Sequence, residues 1–441
     1  MQSISMATEE SFLAEDSRFH FIRRGDSLWL FDERSLDLYA LAGDDLEALL
    51  AELEDIEELP APNYRSRTKI GNVKLALSNR CPSACDYCFR SYGDYTAPHP
   101  GLIREALTAM VESFGREADV CCVSFNLTSE PLADLDQLRE LESVIKELKA
   151  KTGREFPLYL CTSGTVQDPE ALTALERAVA GHRLPVSIDG PREVHDRHRK
   201  DARGVGTYDR VTALLDWARE KGIGLEAQAV ITRDYPYPNL VLEHLLELGF
   251  ESISMKPVRA GFEGAFREEN LPALCRSYDD YFARLERAVA HGDLTLLDTL
   301  KHDFALRPLW KLVLKAKAEG RCIWGTTHIV MDARGDFYPC DSVIGDERFR
   351  CGSVEKGIDF ERFHADVSWR ARKGCADCWA RTLCGGTCYV NGLALTGDYL
   401  AIDPIECELT KYLAEKCIGF MASIVEAGAD PYALSEVLLS Y

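Results

Sequence analysis

Cys81-Pro-Ser-Ala-Cys85-Asp-Tyr-Cys88-Phe89 is a C-x3-C-x2-C run closed by an aromatic residue. It follows Asn72-Val-Lys-Leu-Ala-Leu-Ser78, which reads as a strand, so the three thiols fall in a loop at a strand's C-terminal end. Three thiolates hold three irons of a four-iron cluster and leave the fourth open to a small molecule. A structural zinc site normally closes with four ligands, and the next Cys or His is only His99. A zinc loop is the competing reading of these residues.

After the run, strand-like and helix-like stretches alternate. Residues 102–114 read as helix and 120–126 as strand; helix 134–152, strand 158–161, helix 168–180, strand 184–188, helix 207–222, strand 224–231, helix 238–248 and strand 252–256 follow. Six βα units of this kind predict a parallel sheet in an α/β fold, over residues 70–290. Residues 270–320 read as helical, with 291–320 a connection.

Ahead of the run, residues 1–64 predict a small α+β unit. Arg18-Phe-His-Phe-Ile-Arg23 alternates as a strand, Gly25-Asp26 signals a turn, and Ser27-Leu-Trp-Leu-Phe-Asp32 reads as a second strand. Asp44 is placed to cap a helix that carries Leu46, Leu49, Leu50 and Leu53. Pro60, Pro62 and Arg65-Ser-Arg-Thr-Lys69 read as a linker.

The 441 residues allow several domains, and 46% apolar content is ample for a core. A net charge of −21 speaks against nucleic acid or an anionic membrane as partner. No apolar run approaches the roughly 18 residues of a membrane span. The first ten residues show neither a basic n-region nor an apolar h-region, so a cytoplasmic protein is expected. In a reducing compartment, sixteen cysteines read as metal ligands or buried thiols, not disulfides.

Nine of the sixteen fall within residues 321–417. Cys322 is followed by twelve residues, Gly335, four more and Cys340; then come Cys375-x2-Cys378-x5-Cys384-x3-Cys388 and, eighteen residues later, Cys407. The first run with Phe89 resembles the signature of radical S-adenosylmethionine (SAM) enzymes, and this second field resembles their SPASM extension. The resemblance implies a partial (β/α)6 TIM-like barrel, a SPASM domain over 321–420, a tail over 421–441, and three [4Fe-4S] clusters. Cys81, Cys85 and Cys88 would hold the SAM-binding cluster. Cys375, Cys378, Cys384 and Cys407 would close one auxiliary cluster, and Cys322, Cys340 and Cys388 would hold the other. No cysteine lies between Ile323 and Pro339, so the inner cluster has an open iron or takes Cys351. Cys351 is open to three readings: ligand, reactive thiol or buried small residue. Cys121, Cys122, Cys161, Cys275 and Cys417 fit no spacing and read as core.

The same resemblance implies a SAM pocket. Thr128-Ser129-Glu130-Pro131 stands where the family has Gly-Gly-Glu-Pro, with Glu130 and Thr128 as acceptors for the SAM ammonium. Thr162-Ser163-Gly164-Thr165 would pass the ribose, and Ser187 would hydrogen-bond SAM. Asp189 would shape the substrate side, and Arg199 would meet the SAM carboxylate. Gln228 and Met255-Lys256-Pro257 are expected as pocket walls, and His195 as structural. Asp341, following Cys340, is expected as a general base, against the alternative of a turn-stabilising residue.

In the family, reduced cluster and SAM yield a 5′-deoxyadenosyl radical that takes hydrogen from an unactivated carbon. The leading expectation is a peptide or protein maturase that forms a crosslink, first of all a Cys thioether, as in quinohemoprotein amine dehydrogenase maturases. The N-terminal unit resembles leader-peptide recognition domains and would bind that substrate. An external electron donor such as flavodoxin or ferredoxin is expected. Rival readings are a formylglycine-forming sulfatase maturase, a carbon–carbon cyclising maturase and a zinc-rich peptide-binding scaffold.

Overall fold

The structure is a computed structural model that describes residues 11–13, 18–41, 46–54, 69–89, 96–322, 328–362 and 368–440. The expected cap Asp44 and the linker residues Pro60, Pro62 and Arg65 lie outside these.

Strands β1 (Ser11–Leu13), β2 (Phe19–Arg24), β3 (Ser27–Asp32) and β4 (Asp37–Leu41) form an antiparallel sheet in chain order, followed by the helix Leu46–Glu54. Gly25 adopts φ +54° in the two-residue turn between Arg24 and Ser27, a conformation glycine takes without a Cβ clash. Alternation gives the sheet two apolar faces. Phe19, Phe21 and Leu30 pack with Leu53 of the unit's own helix, while Ile22 and Phe31 join the main core. Strands β1 and β4 were not read from the sequence.

The main body begins with β5 (Asn72–Ala76), followed by β6 (Cys122–Phe125), β7 (Leu158–Tyr159), β8 (Leu184–Ser187), β9 (Leu225–Ile231) and β10 (Ser252–Pro257). These are the six expected strands. β5, β6 and β7 pair in parallel, as do β8, β9 and β10, and a parallel bridge from Thr162 to Val186 joins the two groups. The longer intervening helices fall where the periodicity predicts, and the helix Arg192–His198 is an addition to them. Asp168 caps one of them by accepting from Ala171 N at 3.0 Å, with Pro169 in the first turn. The first helix, Leu102–Ala109, passes into a π-helical turn at Met110–Phe114.

At the other edge, β11 (His328–Asp332) pairs in parallel with β5, and β12 (Asp336–Tyr338), β13 (Gly352–Ser353) and β14 (Gly357–Ile358) continue antiparallel. The cysteine-rich segment is therefore grafted directly onto the sheet that carries the Cys81–Cys88 loop. The helix Pro404–Glu426 runs through the expected boundary at residue 420, and Leu434 and Leu438 of the expected tail are buried. Among the described residues, no helix is long and apolar enough to cross a membrane.

Candidate active site

The C-terminal ends of the parallel strands open into one cavity of about 680 Å³. Cys81, Cys85, Cys88 and Phe89 line it together with Cys322, Cys340, Asp341 and Cys388. Two cysteine groups separated by more than 200 positions in sequence thus face a common space. Among the described residues, no three Cys, His, Asp or Glu side chains are arranged to hold a single metal ion, which a shared cluster with one thiolate per iron does not require.

Backbone contacts fix the first cysteine loop. Ala84 N donates to Lys200 O at 2.6 Å, Asp86 N to His198 O at 3.3 Å, and Ser83 bridges Asp201. Below the loop, Asp189 is a buried anchor. Its carboxylate accepts from Arg199 Nε at 2.9 Å, from the Tyr87 hydroxyl and from Val230 N at 2.9 Å. Burial alone would raise the Asp189 carboxyl; the charge of Arg199, with the hydrogen bonds from Arg199 and Tyr87, outweighs it and holds the group below its ordinary value. Asp189, expected to shape the substrate side of the pocket, is not itself in the cavity lining; it holds Arg199, which is. His195, expected to be structural, is buried, accepts from Asp189 N at 3.4 Å and contacts Thr207 Oγ1 at 3.0 Å.

After β6, Asn126 takes φ +47°, a left-handed conformation that Asn tolerates, and its side chain accepts from Leu77 N at 2.9 Å. This turn brings Leu127, Thr128 and Ser129 into the cavity wall. Glu130, expected as an acceptor for the SAM ammonium, is not part of that wall. It is fully buried, with Thr162 Oγ1 at 2.8 Å, Ser163 N at 2.7 Å, Ser163 Oγ at 2.6 Å and Leu132 N at 3.2 Å. Burial raises its carboxyl against these hydrogen bonds. Glu130 is thus a brace between two loops, and Thr162 is buried with it. Ser163, Ser187 and Gln228 line the cavity, as do Lys256 and Pro257, while Met255 is in the core.

Asp341 has Lys74 Nζ at 3.9 Å, Arg259 Nη2 at 3.8 Å and Cys340 Sγ at 3.4 Å. Burial would raise its carboxyl, but Lys74 and Arg259 bring it below its ordinary value. Arg259 also lies 4.7 Å over the Phe89 ring, so one guanidinium spans the neighbours of both cysteine groups. Sequence reading missed Arg259, Lys74 and Tyr87; only Tyr87, inside the cysteine run, carried a signal. Cys161, read as core, lines the cavity with Sγ 3.5 Å from Ser187 Oγ.

Cys375, Cys378, Cys384 and Cys407 stand apart from the cavity in a group of their own. Electrostatic coupling links Cys378 to Cys375, Cys384 and Cys407, with Lys411 facing Cys375, Cys378 and Cys407. Cys351 joins neither group: it is buried beside β12, its thiol donates to Phe337 O at 3.3 Å, and burial pushes it up to about 12. Of its three sequence readings, this placement matches the buried small residue.

Residues 75–248 match the Radical SAM superfamily. A cysteine-type anaerobic sulfatase-maturating enzyme of Clostridium perfringens (strain 13 / Type A) is 23% identical over 338 residues, 70% of this chain and 86% of that one. A PqqA peptide cyclase of Ruegeria pomeroyi is 26% identical over 345 residues, 75% of this chain and 85% of that one. The solved structure of native anSMEcpe with bound AdoMet and Cp18Cys peptide is similar in fold, with TM-score 0.65 at 19% identity, covering 81% of this chain and 98% of that one. A strand-end cysteine loop on a parallel α/β sheet and the match over residues 75–248 agree, and that part of the chain is a radical SAM domain.

Proposed function

We propose that this enzyme matures a peptide or protein substrate by radical chemistry and installs a crosslink, foremost a thioether from a Cys sulfur to a residue carbon. The observation that carries the reading is the shared cavity, which Cys81, Cys85 and Cys88 line together with Cys322, Cys340 and Cys388. In this reading the first three cysteines hold the SAM-binding [4Fe-4S] cluster. Cys322, Cys340 and Cys388 hold the inner auxiliary cluster with one iron open, and Cys375, Cys378, Cys384 and Cys407 close the outer one. When bound, the first cluster and SAM would supply a radical that takes one hydrogen atom from the substrate carbon; as the carbon–sulfur bond formed, the thiol proton would pass to a base such as Asp341 and the second electron to an auxiliary cluster. Arg199, aimed by Asp189, receives the SAM carboxylate; Ser187 and the 127–129 edge hold its other polar groups. Arg259 and Lys74 keep Asp341 ionised at the substrate side.

The six parallel strands are read as a partial (β/α)6 barrel, residues 321–420 as a SPASM domain, and the N-terminal unit as the element that recognises the substrate. A cytoplasmic setting with an external one-electron donor completes the proposal. Similarity to proteins named for sulfatase maturation and for peptide cyclisation supports a polypeptide substrate.

Formylglycine formation is the second reading, favoured by Asp341 at the cavity wall beside Cys340. The test begins with iron, sulfide and zinc per chain after anaerobic purification. About twelve irons, about four fewer in a Cys81/Cys85/Cys88→Ala variant, are expected; zinc with little iron after reconstitution overturns the radical reading in favour of a binding scaffold. For a candidate substrate, a product reactive with hydrazide selects the aldehyde. A substrate Cys→Ser change that leaves crosslinking intact removes the thioether.

A further inference from the structure

The chain carries 21 more acidic than basic residues, yet the segment Arg197-His-Arg-Lys-Asp-Ala-Arg203 holds four guanidinium or ammonium groups and one carboxylate. Arg199 turns inward to Asp189. Arg197 and Arg203 are exposed, and Lys200 is half-exposed. The single acid, Asp201, is 6% exposed and shared by Arg203 and Arg210, each at 3.1 Å, so it offers little negative charge to solvent.

This segment is the outer neighbour of the Cys81–Cys88 loop. Ser83 bridges Asp201, Ala84 N bonds Lys200 O at 2.6 Å, and Asp86 N bonds His198 O at 3.3 Å. The residues between the cysteines reach solvent here: Ala84 and Asp86 are exposed. Asp86, exposed on that face of the loop, is engaged by His198 Nδ1 at 2.9 Å, and His198 Nε2 also meets the partly exposed Asp234 at 3.4 Å. Lys200 pairs with Gly206 to close a small hairpin, and Val205 beside it is 53% exposed, among the most exposed large apolar residues described. An apolar spot rimmed by cations, one hydrogen bond from the backbone that separates Cys81 from Cys85, fits a small and salt-sensitive encounter surface.

We propose that the Arg197–Arg203 segment with Val205 is the docking surface for an acidic one-electron carrier protein that reduces the group held by Cys81, Cys85 and Cys88. The step balances simply: the carrier loses one electron, the cysteine-held cluster gains it, and no bond or proton changes hands. Docking here brings the carrier to the outer side of the loop, opposite the cavity that takes SAM and substrate, so donor and substrate do not compete. The net negative charge of the chain repels an acidic carrier, and this basic segment offers it a favourable approach. The proposal rests on the radical SAM reading and adds the place and charge of the partner.

The test uses the reconstituted full-length enzyme and an acidic flavodoxin as probe. Its dissociation constant is measured by calorimetry at 50 and 300 mM salt for wild type and for an Arg197→Glu/Lys200→Glu/Arg203→Glu variant. 5′-Deoxyadenosine formation is followed with reduced flavodoxin and, separately, with dithionite, which needs no docking surface. The expected result is affinity at least tenfold weaker in the variant, wild-type affinity that falls with salt, and a dithionite-driven rate within twofold of wild type. Equal flavodoxin affinity in wild type and variant overturns the proposal, and so does a wild-type affinity indifferent to salt. Should the glutamate variant lose its iron, the Gln variant at the same three positions is measured instead, with a smaller loss of affinity expected and unchanged affinity again overturning it. Wild type that forms no 5′-deoxyadenosine with dithionite refutes the chemistry itself, and the docking proposal falls with it. A wild type active with dithionite but insensitive at this surface refutes the docking alone.

Discussion

His20 lies flat on Trp379, with ring centroids 3.7 Å apart and planes 2° from parallel. Trp379 directly follows Cys378, and His20 Nε2 reaches Glu415 Oε1 at 3.1 Å. Glu33 adds an ion pair to Arg381, and its carbonyl accepts from Thr382 Oγ1 at 3.4 Å. The N-terminal unit therefore forms one wall of the Cys375–Cys384 loop. His20→Ala removes the stack and the His20 partner of a buried carboxylate, an expected loss of about 2–4 kcal/mol. Hydrogen exchange is the measurement: peptides from residues 19–32 should exchange faster while those from β9 and β10 hold. Unchanged exchange in residues 19–32 contradicts the coupling.

His195 makes a pH prediction. Burial, partly offset by Asp189, brings its imidazole down to about 4, below the roughly 6.5 of an unfolded chain. Between those values the unfolded chain binds the extra proton, so acidification through this window favours unfolding and stability rises with pH across it. The full contribution approaches about 3 kcal/mol. Denaturation of wild type and His195→Gln at pH 7 and pH 4.5 isolates it: the wild type should lose more on acidification than the variant. Equal losses would falsify the assignment of His195 as a buried neutral group.

The strands and the two cysteine fields were legible because their signals are local. A βα period and a spacing of thiols are properties of consecutive residues, and β5 to β10 fall where periodicity places them. The side-chain directions of Asp189, Glu130 and Cys161 were not legible for one shared reason. Each follows a strand of the parallel sheet, where sequence says that a residue lies near the cavity but not whether its side chain points into it or behind it. Arg259 lies in a loop with no pattern, and only the fold brings it to both Phe89 and Asp341. The parallel pairing of β11 with β5 was equally hidden, because it joins segments about 250 residues apart.

Cys351 separates ligation from packing. With its thiol bonded to Phe337 O and its surroundings apolar, Cys351→Ala should leave iron and sulfide per chain unchanged and cost about 1 kcal/mol of packing. Cys322→Ala or Cys388→Ala should lower iron by up to about four per chain. Colorimetric iron assay after anaerobic reconstitution distinguishes them, and iron loss in Cys351→Ala would return that residue to the inner cluster.

Glu130 distinguishes a brace from a ligand. Its carboxylate takes two donors on each oxygen: Thr162 Oγ1 and Leu132 N on Oε1, Ser163 N and Ser163 Oγ on Oε2. Glu130→Ala strands those donors in a buried site, with an expected cost of about 3 kcal/mol, and Glu130→Gln, which turns one oxygen into a donor, about 1–2 kcal/mol. SAM affinity should follow stability, because Ser129 and Ser163 line the cavity from either side of this brace. Roughly tenfold weaker SAM binding is expected for Glu130→Ala and less for Glu130→Gln, with iron content retained in both. Denaturation and equilibrium dialysis with labelled SAM, on the same preparations, give the two quantities. A Glu130→Gln enzyme of full stability that has lost SAM would instead place this carboxylate against the SAM ammonium, with the loops held together by other bonds.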